Sequence, residues 1–187
     1  MVERAASALR IRPDPGSQVE TEAVMGPIVM TGTGQATAVE LSDEDWAVRQ
    51  VVYASTVERA RPPTATETAT AMGRSIADVR AAYCRLHERH ELVLQPDGET
   101  IRMAHPFSGV PTAFAVTAGG RRYWANCAWD TLGIAAALRV DATIDAVHAD
   151  DGTAARLRVI DGQIEGDGQV IHFRQPWRHW YDDYIFT

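Results

Sequence analysis

Between residues 42 and 78 the chain writes one helix-start pattern three times: Ser42-x-x-Asp45, Thr64-x-x-Glu67 and Ser75-x-x-Asp78. In each, a hydroxyl can accept the backbone N–H three residues on while the acid reaches back to the cap. Three helix starts so close together leave room only for short helices with tight connections. The spacing predicts a first helix from 43 to about 58, burying Val48, Val51, Val52 and Ser55. Arg61-Pro62-Pro63 then breaks the ladder, because proline cannot continue it. A short helix over 65–72 ends at Gly73. A third puts Val79, Tyr83 and Leu86 on one stripe, with Cys84 packed beside them. Leu92-Val93-Leu94, a Pro96-Asp97-Gly98 turn and Ile101-Arg102-Met103 then read as a hairpin. Three helices and a hairpin are the order of a winged-helix-like module, over 41–104. Residues 1–40, rich in Ala, Thr, Gly and Pro, read as a flexible arm with a short strand at 26–30.

A winged helix invites a DNA-binding reading, and the charges oppose it. The third helix and its cap segment carry Arg74, Arg80, Arg85 and Arg89, but also Asp78, Glu88 and Glu91. Over residues 1–104, 15 acids face 11 arginines, and the whole chain has a net charge of −7. A nucleic-acid reader needs a basic footprint, so neither nucleic acid nor an acidic membrane is expected as a partner.

After His105-Pro106 the pattern changes to strands. Residues 113–117 and 121–125 form a predicted hairpin around Gly119-Gly120. Further short strands are expected at 143–147, 155–160, 163–165 and 169–173, separated by Asp-Gly and Gly turns. Between them a segment from Cys127 to Leu138, carrying Leu132, Ile134, Ala135 and Leu138, reads as a buried helix. The fold class is therefore α+β: the three-helix module, then, over 105–187, a small antiparallel sheet packed on a buried helix.

That helix starts with the chain's candidate chemistry. Cys127 falls in its first turn, where free backbone N–H groups and the helix dipole favour a thiolate. Asp130 follows three residues on, so its carboxyl shares a face with the sulfur. Taken alone, a cysteine on an apolar helix is most simply a small core residue. His105 reads as a turn residue before a proline. The terminal cluster of His172, Trp177, His179, Trp180, Tyr181 and Tyr184 reads as the end of the core, and Asp182-Asp183 as a surface pair.

The flanks make the pair more specific. His105-Pro106-Phe107-Ser108, Pro111-Thr112, Gly119-Gly120 and then Cys127-Ala128-Trp129-Asp130-Thr131-Leu132 follow one another in an order that resembles the organomercurial (alkylmercury) lyase family. The closing Trp180-Tyr181-Asp182-Asp183-Tyr184-Ile185-Phe186-Thr187 looks like the family's approach to its second catalytic cysteine. The resemblance is dense over 105–133, thin over 140–175 and absent before Leu41. It implies an enzyme that cleaves carbon–mercury bonds, with Cys127 as first thiolate and metal-binding residue and Asp130 as proton shuttle. Mercury is then substrate and product, and no resident cofactor is implied. The family's second cysteine would follow directly after Thr187. The expectation is therefore a truncated chain, or a member without the second thiolate, impaired in turnover, whose second sulfur comes from an external thiol, from a partner chain or from Cys84 folded back onto the site. Two other readings use the same residues: an enzyme of different chemistry on this scaffold, or a winged-helix regulator that senses a ligand or metal.

Two cysteines fit free thiols in a reducing compartment better than a disulfide scaffold. No apolar run approaches the roughly 18–20 residues that span a bilayer, and no signal-peptide core follows the N-terminus. A cytoplasmic bacterial mercury-resistance protein is the expected setting.

Overall fold

The computed structural model describes residues 39–166 together with residues 168, 170, 171, 173 and 180. Residues 1–38 of the predicted arm, with its strand at 26–30, lie outside the described residues. So do His172, Trp177, His179, Tyr181, Asp182, Asp183 and Tyr184, and part of the predicted strand at 169–173.

All three predicted caps form. Helix α1 (Asp43–Arg59) opens with Ser42 Oγ accepting the Asp45 N–H at 3.2 Å while Asp45 accepts the Ser42 N–H at 2.9 Å. Helix α2 (Ala65–Met72) repeats this with Thr64 and Glu67, and closes on Gly73 at φ +63°, a left-handed position suited to glycine. At α3 (Ile76–Glu88) the Asp78 carboxylate instead accepts the Ser75 hydroxyl at 2.7 Å.

The buried stripe of α1 is rotated from the expected one. Asp45, Val48, Val52 and Thr56 are buried, while Val51 and Ser55 are only half-buried. A buried aspartate needs compensation. Arg85 of α3 supplies it with bonds of 2.7 and 3.1 Å to Oδ1 and 3.1 Å to Oδ2. On α3, Val79, Ala82, Tyr83 and Leu86 are buried, and the Tyr83 hydroxyl lies 2.7 Å from that of Thr68 on α2. Cys84 is exposed, not packed as expected, because it falls outside this stripe. Three α3-side arginines turn back on the chain itself: Arg74 to Glu44, Arg80 to Glu99 and Arg85 to Asp45.

The hairpin β1 (Val93–Leu94) and β2 (Ile101–Ala104) follows as predicted. Its turn is held by Asp97 Oδ1, which accepts the N–H groups of Glu99 and Thr100 at 2.8 Å each. It is not, however, a separate wing. The two-residue strand β3 (Phe107–Ser108) pairs with β2 on one side and with β5 (Arg121–Ala125) on the other. With β4 (Ala115–Ala118), β6 (Ala142–Val147), β7 (Ala154–Ile160) and β8 (Gln163–Glu165) it forms one eight-stranded sheet, ordered β1-β2-β3-β5-β4-β6-β7-β8. Every described pairing is antiparallel. The expected small sheet is thus extended by the hairpin into a larger one.

Two cores flank this sheet. One gathers α1, α2 and α3 against the hairpin around Val52, Val79, Tyr83 and Leu92. The other sets helix α4 (Ala128–Leu138) on the sheet around Phe107, Val116, Ala125, Ile134 and Ile144. Tyr53 packs against both, and Tyr123 of β5 donates to the Val57 carbonyl of α1 at 2.8 Å. Helix α4 is buried on one face only: Thr131, Ile134 and Ala135 are inside, while Trp129, Ala136 and Ala137 are exposed. Its open side tolerates alanines because they expose little apolar area and have high helix propensity. Among the described residues no helix is long and apolar enough to cross a membrane.

Candidate active site

Strand β5 delivers the site, and its last turn is pinned by hydroxyls. Thr112 donates to the carbonyl of Ala125 at 2.6 Å, and its oxygen accepts the Phe114 N–H at 3.1 Å. Ser108 donates to the Val110 carbonyl at 2.8 Å and accepts the Val110 N–H at 3.3 Å. These two residues, read from the sequence only as part of a motif, hold the loop before β4 against the end of β5. Thr131 then bonds the Ala128 carbonyl at 2.6 Å inside the first turn of α4.

Cys127 is the N-cap of α4, in extended backbone at φ −141° and ψ 176°, one position earlier than expected. Its thiol donates to Asp130 Oδ2 across 3.5 Å. Both side chains are half-buried. The predicted pair is therefore brought together, at the predicted spacing and on one face.

Its charge state departs from the expectation. Burial, and then the neighbouring Asp130 carboxylate, push the Cys127 thiol up to about 11. The backbone N–H groups of Asp130 and Trp129 favour the thiolate, as helix-start donors should, but they do not outweigh those two effects. No cap hydrogen bond of proper geometry reaches the sulfur. The resting residue is a thiol. Asp130 is itself raised, by burial first, and is held back by His105 and by the bond from Cys127.

His105 sits, as read from the sequence, in the two-residue turn between β2 and β3. It precedes β3, joined to Pro106 by a cis peptide bond. Its side chain is open to solvent on one side; the burial on its other side lowers it, the Asp130 charge acts to raise it, and Arg49 and Glu91 act in opposite senses from α1 and the α3–β1 turn. Arg49 Nε lies 3.0 Å from Glu91, and its guanidinium covers the Tyr53 ring at 4.5 Å. A thiol, a carboxyl and an imidazole thus share one electrostatic neighbourhood. On the exposed side, Trp129 meets Phe173 edge-on at 6.1 Å, and Phe173 stacks on Trp180 at 5.1 Å. Cys84 lies exposed on α3. No group of three or more His, Cys, Asp or Glu arranged to hold a metal ion occurs among the described residues.

Residues 107–186 match the family model for alkylmercury lyase. Among solved structures, the mercury-bound form of MerB2 is similar at a TM-score of 0.56 and 24% identity, over 67% of this chain. The chain spans 60% of that protein's length. No curated protein matches. The matched stretch holds Cys127, Asp130 and the aromatic stack.

Proposed function

We propose that this chain, whose residues 107–186 are of the alkylmercury lyase family, cleaves carbon–mercury bonds by protonating the carbon. The observation that carries the reading is the thiol–carboxyl pair, Cys127 Sγ to Asp130 Oδ2 at 3.5 Å, at the start of α4. Mercury(II) is soft and prefers sulfur, and its arrival displaces the thiol proton, as a metal does from any sulfur it binds. The acceptor at hand is the Asp130 carboxylate. Burial raises the affinity of Asp130 for a proton, which suits a group that must accept one and release it again.

The atoms balance in two steps. In the first, R–Hg–X and the Cys127 thiol give R–Hg–S–Cys127 and X⁻, and the thiol proton moves to Asp130. In the second, Asp130 returns that proton to the carbon of R, the C–Hg bond breaks with its electron pair on carbon, and R–H leaves. Mercury stays on Cys127. A thiolate R′S⁻ bound to mercury increases electron density on the metal and leaves Cys127–S–Hg–SR′ after cleavage; a further R′SH then takes mercury away as Hg(SR′)2 and returns its proton to Cys127. A small-molecule thiol in the assay fills that role.

A single turnover with phenylmercury and excess small-molecule thiol, followed by benzene release, tests the reading. Benzene release from the parent chain, lost in Asp130→Ala, supports it. Phenylmercury binding that persists undiminished in Cys127→Ser would sink it. A salt-dependent shift of duplex DNA would instead favour the regulator, although Arg74, Arg80 and Arg85 are already engaged by acids of this chain.

A further inference from the structure

We propose that Trp129, with Phe173 and Trp180 behind it, selects the organic group of the substrate, so that this site prefers arylmercury compounds to short alkylmercury ones. The inference rests on the lyase reading and deepens it by naming a substrate class. Its first support is what the fold leaves uncovered. Helix α4 buries Thr131, Ile134 and Ala135, so Trp129 is not needed to hold it on the sheet. The Trp129 indole is 54% exposed and Phe173 is 37% exposed. Even so, these two rings meet edge-on at 6.1 Å, and Phe173 stacks on Trp180 at 5.1 Å. Three aromatic rings in a row, two of them open to solvent, offer faces and edges that a further ring can join.

The second support is where the row begins. Cys127 caps α4, and Trp129 and Asp130 are the second and third residues of the helix. A cap side chain turns over the helix end toward the N–H groups of those two positions. The Cys127 sulfur does so: it lies 3.5 Å from Asp130 Oδ2, and the N–H groups of Trp129 and Asp130 favour its thiolate. Long side chains in a helix lean toward its N-terminus and cover the turn before their own Cα. In the first turn that direction carries the Trp129 indole out past the helix start, where the sulfur sits. Trp129 and Asp130 are consecutive, about 100° apart around the axis. The carboxyl and the indole therefore flank the thiol from different sides.

Mercury(II) held by one sulfur places its second ligand in line with the first. The organic group of R–Hg–S–Cys127 then projects away from the sulfur, and in the proposed arrangement the aromatic row stands along its path. A phenyl ring presents an edge and two faces to that row, and a methyl group presents neither. The contact should favour phenyl roughly 2- to 12-fold, the scale of one aromatic pair.

The experiment reads capture apart from cleavage. In an Asp130→Asn background proton delivery to carbon is removed, so the organic group stays on mercury. The chain has two cysteines. Adding Cys84→Ser leaves Cys127 as the thiol, and adding Cys127→Ser instead leaves Cys84, an exposed thiol, as the reference. Each protein is equilibrated with equal phenylmercury and methylmercury under excess small-molecule thiol, and native mass spectrometry counts the two adducts. The phenyl-to-methyl ratio at Cys127 should exceed that at Cys84 roughly 2- to 12-fold. Trp129→Ala should remove most of this excess, and Trp129→Phe should keep most of it. Equal ratios at the two thiols overturn the inference, and so does an excess that survives Trp129→Ala. The second readout is turnover with Asp130 intact. Benzene release by Trp129→Ala should slow at low phenylmercury and match the parent at saturation, because the indole binds the ring without touching the breaking bond. A rate loss that persists undiminished at saturation overturns selection by the indole. An aryl preference at Cys127 without benzene release from the parent refutes the lyase reading and leaves the preference of the thiol site standing.

Discussion

The state of Cys127 before substrate arrives can be tested by its reactivity. The thiol is held up to about 11, by burial first and by Asp130 second. At pH 8 about one molecule in a thousand is then a thiolate, against roughly one in four for an ordinary thiol near pKa 8.5. That is a deficit of roughly 200-fold. A more basic thiolate is a better nucleophile, with a Brønsted slope of about 0.4–0.5, which returns roughly tenfold over this difference. The net expectation is alkylation about 20-fold slower than for an unperturbed thiol of equal access. Iodoacetamide labelling followed by peptide mass spectrometry resolves Cys127 from Cys84, the exposed thiol of the same chain. Access changes the height of the profile but not its midpoint, so the pH dependence decides. The Cys127 rate should rise tenfold per pH unit from about pH 7 to about pH 10, without levelling. Asp130→Asn should move the profile to lower pH, since a like charge is removed. A plateau reached by about pH 8 would mean that the helix-start N–H groups win over burial, and the reasoning would be refuted.

Arg85→Met should destabilise the protein by about 2–3 kcal/mol in urea unfolding, leaving Asp45 buried with only its Ser42 bonds. The figure lies below that of a fully buried pair because the Arg85 side chain is 40% exposed. The pH dependence has a definite sign. Burial raises Asp45, but the bonds from Arg85 and Ser42 overcome it and leave its folded pKa depressed. That contribution is complete above the unfolded carboxylate range and is lost as pH falls through the folded value, so Arg85→Met should flatten the acid side of the stability profile. Ile134, fully buried beneath α4, should cost about 2–5 kcal/mol on truncation to alanine; a loss under about 0.5 kcal/mol would contradict the assigned core. Gly133→Ala gains up to about 1 kcal/mol of helix propensity and loses it against Pro106, whose Cβ lies 3.0 Å from where the added methyl would sit, one turn beyond Asp130. Stability should stay near the parent value while single-turnover rate falls, and a rate that holds would show that the turn yields harmlessly.

What the sequence disclosed was local, and what it withheld depended on distant partners. The caps at Ser42, Thr64 and Ser75 were legible because both halves of each lie within four residues. So was the Gly119-Gly120 hairpin, whose glycines take φ +55° and +73°. The burial of Asp45 was not legible, since its partner Arg85 lies 40 residues away and a charged residue in a first turn reads as solvated. Nor was the union of hairpin and sheet. It depends on β3, and two residues show no alternation from which a strand can be read. Cys127 and Asp130 could be picked out by spacing. The protonation of the thiol could not, because it is set by the elements that cover the site.

A protonated resting thiol looks at first like a handicap for a mercury-binding enzyme, but in the proposed reaction it is the source of what the carbon needs. A thiolate favoured at neutral pH would already have given its proton to water. The acid for carbon would then have to be recruited from solvent after mercury had bound. Here burial keeps the proton on sulfur until a metal able to replace it arrives, and a bound metal deprotonates a coordinating thiol outright. The proton is then released 3.5 Å from a carboxyl already disposed by burial to take it. In the proposed reaction the same burial, expected to make Cys127 slow toward alkylating agents, couples mercury capture to loading of the acid. Exposing the site while preserving Cys127 and Asp130 should thus leave capture intact and weaken cleavage.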